Sequence, residues 1–212
     1  MIFGKIMIIL LFLMSVFAHP VTFKDGTAIT SIHRPKMTMV QVNHTIHRNI
    51  ALAASYMRME QDTRIVNVPS LHINTLIKRW NQIGSQANIY AMTGVGFDIS
   101  DNISSESVRG MVGVQGDFET QKIYTAFTAS ALPSFVDISD IPFTARYRFG
   151  VAPYIAKYDE LQIWVVGQVD YMSDMTEQPY FTPMLRYFYR TVLWETGVSL
   201  NGTYWFQMMA HF

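Results

Sequence analysis

The strongest constraint in this sequence is an alternation of apolar and polar side chains with a period of two residues, which recurs from about residue 36 to the end. Between Ala145 and Tyr158, arginine and small side chains fall mostly on one face, while aromatic and aliphatic side chains fall on the other. The run from Leu161 to Tyr171 repeats this arrangement. Successive side chains of a strand point to opposite faces, whereas a helix repeats every 3.6 residues. The pattern therefore predicts an all-β protein.

Ten candidate strands follow from the alternation and from the turn signals between its runs, such as Leu200-Asn201-Gly202. They cover about 36–44, 49–60, 69–80, 85–97, 107–117, 120–131, 143–157, 160–172, 182–198 and 203–212. Strands of soluble sheets usually have about five or six residues, and the predicted strands are longer. A strand that crosses a membrane at a tilt needs about 9–11 residues. The lengths therefore predict a single antiparallel transmembrane β-barrel with ten strands.

The first eighteen residues have the pattern of an export signal that is cleaved from the mature protein. Lys5 precedes a largely apolar run from Ile6 to Phe17, and Ala18 is a small residue suited to a signal-peptidase site. The run spans a bilayer poorly, although an uncleaved anchor is the alternative. The sequence then predicts an N-terminal extension, residues 19–35, and a barrel domain, residues 36–212. No other run approaches the ~20 apolar residues of a membrane helix, so a membrane-bound mature chain must form a closed barrel.

Composition excludes two broad classes of protein. Half of the 212 residues are hydrophobic and 15% are charged, which excludes a disordered chain. Sixteen basic and sixteen acidic residues give a formal charge of zero, so the sequence lacks the positive charge expected of a nucleic-acid-binding protein. The absence of cysteine means that no disulfide holds the fold together.

The C-terminal eleven residues alternate with particular clarity. Tyr204, Phe206, Met208 and Phe212 share one face of a predicted last strand, and the chain ends on the aromatic residue. This run resembles the C-terminal signature of bacterial outer-membrane β-barrel proteins, which the barrel-insertion machinery recognises. The runs 76–81, 85–90 and 193–198 are similar to those of an uncharacterised family of small bacterial outer-membrane proteins. The resemblance implies location in the cell outer membrane, with lipid and the insertion machinery as partners.

The predicted connections conflict with the usual orientation of such barrels. With the C-terminus in the periplasm, the long connections near 61–68, 98–106, 131–142 and 172–181 would also be periplasmic. Outer-membrane barrels normally have short periplasmic turns and long outer loops. Either a strand is miscounted near 182–198, or the outer loops of this barrel are unusually short.

The sequence predicts neither an enzyme nor a cofactor site. It contains no G-x-S-x-G, Walker or H-E-x-x-H motif and no zinc-type ligand pair. Ser70 with His72, or Ser199 with His211, could be proposed as a nucleophile and its base, but their spacing singles out neither.

Charged residues recur on the polar faces of the predicted strands. We expect a polar network inside the barrel, formed by Arg109, Asp117, Arg146, Arg148, Asp170, Arg186 and Arg190. One interpretation is a self-satisfied set of ion pairs in a structural barrel, because buried unpaired charge is costly. The other is a narrow pore in which an excess of arginine favours anions.

Histidine and methionine residues cluster near the start of the mature chain. His19, His33, His44 and His47 are candidate metal ligands, since imidazole and thioether groups suit copper-type ions. Methionines in an apolar chain more often serve in packing or lipid contact. The sequence thus favours a non-enzymatic outer-membrane barrel, a narrow pore or a structural one. The alternative is a soluble periplasmic β-barrel or sandwich that binds a small ligand or a metal.

Overall fold

The structure is a computed structural model, and it describes residues 19–61, 64–100, 107–133, 135, 141–173 and 178–212. The predicted export signal, residues 1–18, lies outside these residues and stays a prediction. No helix within the described ranges is long and apolar enough to cross a membrane. The strands in this part of the chain are β1 (Thr27–Arg34), β2 (Met37–His47), β3 (Ile50–Gln61), β4 (Arg64–Gln82), β5 (Ser85–Ser100), β6 (Ser107–Thr120), β7 (Ile123–Ala131), β8 (Phe143–Val151), β9 (Gln162–Met172), β10 (Tyr180–Tyr189), β11 (Val192–Val198) and β12 (Tyr204–His211).

The strands form one closed antiparallel barrel in which each strand pairs with its neighbours in sequence. β1 closes the barrel against β12, with registers from Ala28 opposite His211 to His33 opposite Phe206. Closure pairs the backbone groups that an edge strand would leave free. The all-β, single-barrel prediction is confirmed.

The predicted number of ten strands is wrong, because the described chain forms twelve. The stretch assigned to an extension before the barrel contributes β1 at Thr27–Arg34. The run 182–198 is two strands, β10 and β11, joined at Arg190-Thr191, where Arg190 has a φ of 54°. Neither residue of that turn is glycine, proline or asparagine, the residues that usually mark a turn.

The corrected strand count also corrects the expected placement of the loops. An even number of strands puts both ends of the barrel chain at one rim, and that rim has short turns at residues 48–49, 83–84, 121–122 and 190–191, with one longer connection at 152–161. The opposite rim has three longer connections, 101–106, 132–142 and 173–179, and three short ones, 35–36, 62–63 and 199–203. Short turns at the rim of the termini are the normal arrangement of outer-membrane barrels. We call the rim with the termini the terminal rim and the other the distal rim.

Burial alternates along the strands with the same period as the sequence pattern. In β9, Trp164, Val166, Gln168 and Asp170 are buried, whereas Val165 and Val169 between them are exposed. Tyr147 and Phe149 of β8 are likewise exposed, each with close to half of its surface accessible. The polar faces therefore line the inside of the barrel, and aromatic and aliphatic side chains cover the outside.

Gly94 of β5 lies where a larger residue would not fit. A Cβ atom there would come within 2.6 Å of the backbone oxygen of Leu71 and 2.7 Å of His72 Nδ1. We expect Gly94→Ala to lower the free energy of unfolding by about 1–3 kcal/mol, the usual cost of overpacking. Gly116→Ala on β6 is the matched control, because its Cβ would meet nothing closer than the Asn88 oxygen at 3.9 Å. Urea unfolding in lipid vesicles measures the stability of both variants, and equal unfolding midpoints for Gly94→Ala and Gly116→Ala would contradict the prediction.

Candidate functional site

Three buried charged residues of the described chain, one each on β8, β10 and β11, lie together inside the barrel. Glu195 is fully buried and lies between two guanidinium groups. Its Oε1 accepts a hydrogen bond from Arg186 Nε at 2.6 Å, and its Oε2 accepts one from Arg148 Nη1 at 3.0 Å. The sequence places these residues together because Arg186 and Glu195 are direct partners in the β10–β11 register. One carboxylate thus links arginines of two different strands.

A second carboxylate extends this network across β8 and β9. Arg148 Nε donates to Gln168 Oε1 at 2.6 Å, and the Gln168 amide donates in turn to Asp170. Arg146 Nε donates to Asp170 Oδ1 at 2.7 Å. Arg146 with Asp170, and Arg148 with Gln168, are direct register partners. The result is a continuous chain of charge-assisted hydrogen bonds around one side of the interior.

The indole ring of Trp205 lies among the guanidinium groups of this network. The Cζ atoms of Arg146, Arg34 and Arg148 are 4.5, 4.6 and 5.7 Å from its ring centroid, within the range of cation–π interactions. Arg34 follows directly after the β1–β12 pair of His33 with Phe206, so barrel closure brings it to Trp205. We call Arg34, Arg146, Arg148, Gln168, Asp170, Arg186, Glu195 and Trp205 the arginine cluster.

A chamber of about 490 Å³ lies inside the distal part of the barrel, next to the arginine cluster. Arg34, Arg146 and Asp170 of the cluster contribute to its wall. Seven methionines also line it, Met37, Met39, Met57, Met59, Met92, Met111 and Met172, together with polar side chains that include Gln41, Ser55, Ser70, His72 and Asn74. Met37 faces Met59, and Met39 faces Met57, as direct partners across β2 and β3. The interior of an outer-membrane barrel is ordinarily polar, so this methionine-rich wall is unusual.

The N-terminal segment, residues 19–26, enters the barrel at the terminal rim. Val21 is fully buried in an apolar cluster with Ala51, Leu76 and Tyr90. Thr22 N donates to Thr45 Oγ1 at 3.0 Å, and Asp25 N donates to the Thr45 carbonyl at 2.8 Å. The segment is therefore anchored in the mouth by both apolar and polar contacts.

His19 lies at the inner end of this segment, between two acidic side chains of β6. Its Nδ1 is 3.4 Å from Asp117 Oδ2, and its Nε2 is 3.9 Å from Glu119 Oε1. Burial by itself would lower the pKa of His19, but the hydrogen bonds and charges of Asp117 and Glu119 outweigh burial and raise it to about 9. His19 is therefore positively charged at neutral pH and is held by the acidic pair.

No protein-family model matches this chain. Comparison with curated proteins gives no match either. Among solved structures, KdgM porin in complex with disordered oligogalacturonate has a TM-score of 0.50 at 9% identity, over 88% of this chain and 98% of that one. A second structure of KdgM porin has a TM-score of 0.49 at 8% identity and the same coverage. OccK8 (OprE) of Pseudomonas aeruginosa has 0.45 at 7% identity, over 89% of this chain and 67% of its own. The likeness to KdgM porin at 0.50 shows the fold, a closed porin-like barrel.

The residues expected to form one polar network occupy three places in the barrel and one outside it. Arg146, Arg148, Asp170 and Arg186 meet in the arginine cluster, whereas Asp117 binds His19 and Asn88 near the terminal rim. Arg109 pairs with Asp98 in the wall of the chamber. Arg190, also expected inside, lies instead in the exposed β10–β11 turn with its guanidinium over the Tyr189 ring. Its assignment to the interior was wrong because the sequence pattern carries one strand across that turn.

The sequence reasoning missed Glu195, Gln168, Trp205 and Arg34, which complete the arginine cluster. Glu195 lies directly opposite Arg186, and Gln168 lies directly opposite Arg148, in neighbouring strands. The register of these strands would therefore have identified both residues as partners of the arginines. Trp205 lies on the face of the last strand opposite Tyr204 and Phe206, and the sequence predicts no role for it. Arg34 was placed before the barrel, so its contact with Trp205 was not predictable without β1.

The structure separates the four candidate metal ligands. His19 is buried at the terminal rim, His33 lies beside Phe206 with 6.0 Å between ring centroids, and His44 Nδ1 is 3.0 Å from Thr27 Oγ1. His47 is exposed at the end of β2. In the part of the chain that the structure describes, no three histidine, aspartate or glutamate residues are grouped for a metal ion.

Two serine–histidine pairs raised from the sequence also have defined positions. Ser55 Oγ lies 2.8 Å from both Ser70 Oγ and His72 Nε2, so His72 contacts Ser55 rather than Ser70. His72 Nδ1 has no hydrogen-bond partner among the described residues, so the third group that orients a catalytic base is lacking there. His211 Nε2 lies 3.1 Å from Met209 Sδ, and Ser199 bonds within its own turn.

Proposed function

We propose that this protein is a non-enzymatic outer-membrane β-barrel that forms a narrow channel with a charged interior. The observation that carries the proposal is the apolar outer surface of a closed barrel whose inner face holds buried ion pairs. Exposed aliphatic and aromatic side chains occur on every strand, among them Ile29, Leu71, Val114, Phe149 and Phe206. Soluble monomers rarely expose apolar patches larger than a few hundred Å², and here the exposed side chains surround the barrel. This supports the membrane protein over the soluble periplasmic alternative.

The orientation in the membrane follows from the lengths of the connections. Four of the five connections at the terminal rim are two-residue turns, which fits the periplasmic side, whereas three of the six at the distal rim are longer, which fits the outer side. The methionine-walled chamber would then face the cell exterior. Tyr204, Phe206 and Met208 are exposed on β12 and would contact lipid, with Phe212 exposed at its end. This placement supports their proposed role as the insertion signature.

The interior supports a channel that is closed at its periplasmic end in this conformation. The N-terminal segment packs into the terminal mouth through Val21, while the chamber offers space at the distal end. The arginine cluster holds four guanidinium groups and two carboxylates, so its field favours anions. Conductance of the refolded protein in planar lipid bilayers tests the proposal, with the reversal potential in a KCl gradient as the measure of anion preference. A folded barrel that carries no current under any voltage or pH would contradict the channel and support a structural barrel.

Val114, at the middle of β6, provides a test of membrane insertion. Its side chain is 51% exposed on the outer face, where we expect it to contact the hydrocarbon core. Val114→Arg should destabilise the barrel in lipid vesicles by about 2–4 kcal/mol, the cost of a cation at the bilayer midplane. The control is Ile83→Arg in the fully exposed β4–β5 turn, which should change the unfolding midpoint little. An equal effect of the two substitutions would argue for a protein surrounded by water.

A further inference from the structure

We propose that the chamber binds an amphipathic acid, with the carboxylate on Arg34 and the apolar body along the methionine wall. The inference rests on the proposed channel, because it names the class of solute that would enter from the distal side. Its basis is an excess of positive charge, from the half-buried Arg34, beside a cavity whose wall is more apolar than polar.

The charge balance of the arginine cluster is the first argument. Arg146 pairs with Asp170, and Arg148 and Arg186 share Glu195, so two carboxylates face three guanidinium groups before Arg34 is added. No described carboxylate lies within ion-pair distance of Arg34, whose Nη1 donates only to Tyr180 Oη at 3.2 Å and Met172 Sδ at 3.3 Å. Arg34 is half-buried, and a charge that is partly withdrawn from water is costly unless it is paired. An anion beside Arg34 would lower that cost.

Unused hydrogen-bond donors are the second argument. Arg34 Nε, Arg148 Nη2 and Trp205 Nε1 are buried, and no acceptor among the described residues lies within reach of them. Arg148 and Trp205 are 5% and 3% exposed, so bulk water does not solvate these side chains freely. Buried donors are normally satisfied by protein, water or an ion. Of these three residues, Arg34 lines the chamber, and its free Nε donor fits an acceptor-only ligand such as an ionised carboxylate.

The wall of the chamber is the third argument, and it indicates that the part of the ligand beyond the carboxylate is apolar. Met37 and Met39 of β2 lie opposite Met59 and Met57 of β3, which makes a continuous thioether surface next to Arg34. Methionine is flexible and polarisable and adapts to apolar ligands of different shape. The volume of about 490 Å³ lies in the range of small-molecule sites, about 300–1,000 Å³. An acyl chain or an aromatic ring satisfies this wall, whereas a small inorganic anion does not.

The same charge balance disfavours a soft cation on the methionines. Thioether sulfurs suit Cu(I), but they carry no charge to offset the ion. Arg109 and Arg146 are neutralised by Asp98 and Asp170, and Arg34 adds one positive charge to the chamber. A metal ion there would meet net repulsion, whereas an organic anion would meet attraction.

Calorimetric titration of the mature barrel in lipid nanodiscs with octanoate tests the proposal, with empty nanodiscs subtracted. We expect one saturable site, with acetate binding at least about tenfold more weakly because each buried methylene contributes to affinity. Octylammonium should show no saturable binding. Arg34→Gln should weaken octanoate binding by about tenfold to a hundredfold, the range for a lost charge-assisted hydrogen bond. Arg34→Lys, which keeps the charge, should weaken it less.

The matched control is Arg109→Gln, which removes the same charge from the same chamber but from a guanidinium already paired with Asp98. It should change octanoate affinity far less than Arg34→Gln does.

Replacing Met57 and Met59 with leucine preserves the apolar volume, so octanoate binding should survive. Loss of binding would point to the sulfur atoms and overturn the proposal. Equal binding of acetate and octanoate, or equal loss in the two arginine variants, would also overturn it. Saturable octanoate binding without conductance would contradict the channel alone, and conductance without such binding would contradict the site alone.

Discussion

Glu195→Gln is expected to be among the most destabilising single substitutions in this barrel. The carboxylate is fully buried and is the shared counter-ion of Arg148 and Arg186, which are 5% and 2% exposed. Removing one partner of a buried ion pair typically costs about 3–5 kcal/mol, because the remaining charge stays buried without compensation. Urea unfolding of the protein in lipid vesicles, followed by tryptophan fluorescence and by gel mobility with and without heating, measures the change.

Glu160→Gln is the matched control for this substitution. Glu160 also pairs with a cation, Lys157, at 3.8 Å, but both side chains are more than half exposed. Exposed ion pairs contribute little, so the unfolding midpoint should not move measurably. A double variant tests whether unpaired buried charge causes the loss of stability. Adding Arg186→Met to Glu195→Gln removes one of the two arginines left without a counter-ion, so part of the lost stability should return. Equal midpoints for Glu195→Gln and Glu160→Gln would refute the role of the buried charge.

The sequence predicted the fold because each strand lies between two different environments, the barrel interior and the outer surface, and its side chains alternate between them. Each strand needs one face for the interior and one for the outside, and a slip of a single residue would exchange them. Tyr147, Phe149 and Val151 therefore alternate with Arg146 and Arg148 in the sequence as they do in the barrel. The same rule explains the miscounted strand. Arg190-Thr191 contains no residue that usually marks a turn, although the buried positions change from even numbers in β10 to odd numbers in β11 across it. The left-handed conformation of Arg190 marks the reversal in the structure.

The candidate site was partly predictable, and its limits have a physical reason. Arg146 with Asp170, and Arg186 with Glu195, are register partners of consecutive strands, so their pairing follows once the turns are known. Arg34 and Trp205 are at opposite ends of the chain and meet only because the barrel closes. Local sequence patterns carry no information about such a contact. The N-terminal segment is a similar case, since its burial depends on the width of a mouth that all strands define together.

Removal of the N-terminal segment is expected to give the largest functional change. The barrel that begins at His19 should be mostly closed in planar bilayers, because Val21 and its apolar neighbours fill the terminal mouth. A chain that begins at Asp25 lacks this contact and retains every strand, since β1 begins at Thr27. It should therefore remain folded and show open channels for most of the recording time. Equal conductance of the two proteins would mean that the segment does not obstruct the path.

The same closure should depend on pH through His19. Its pKa is raised to about 9 in the folded protein, against about 6.5 for an ordinary histidine, so the contact with Asp117 and Glu119 favours the protonated form. The resulting stabilisation is fully present below about pH 6.5 and is lost as the pH rises through about 9. Conductance of the chain that begins at His19 should thus increase between pH 7 and pH 10, and that of the chain that begins at Asp25 should stay constant. With the α-amino group of residue 19 acetylated so that it does not titrate, His19→Gln should abolish the increase, whereas His47→Gln, an exposed histidine at the same rim, should preserve it. A pH response that survives His19→Gln would contradict this prediction. It would mean that the ionisation of other groups controls the closure.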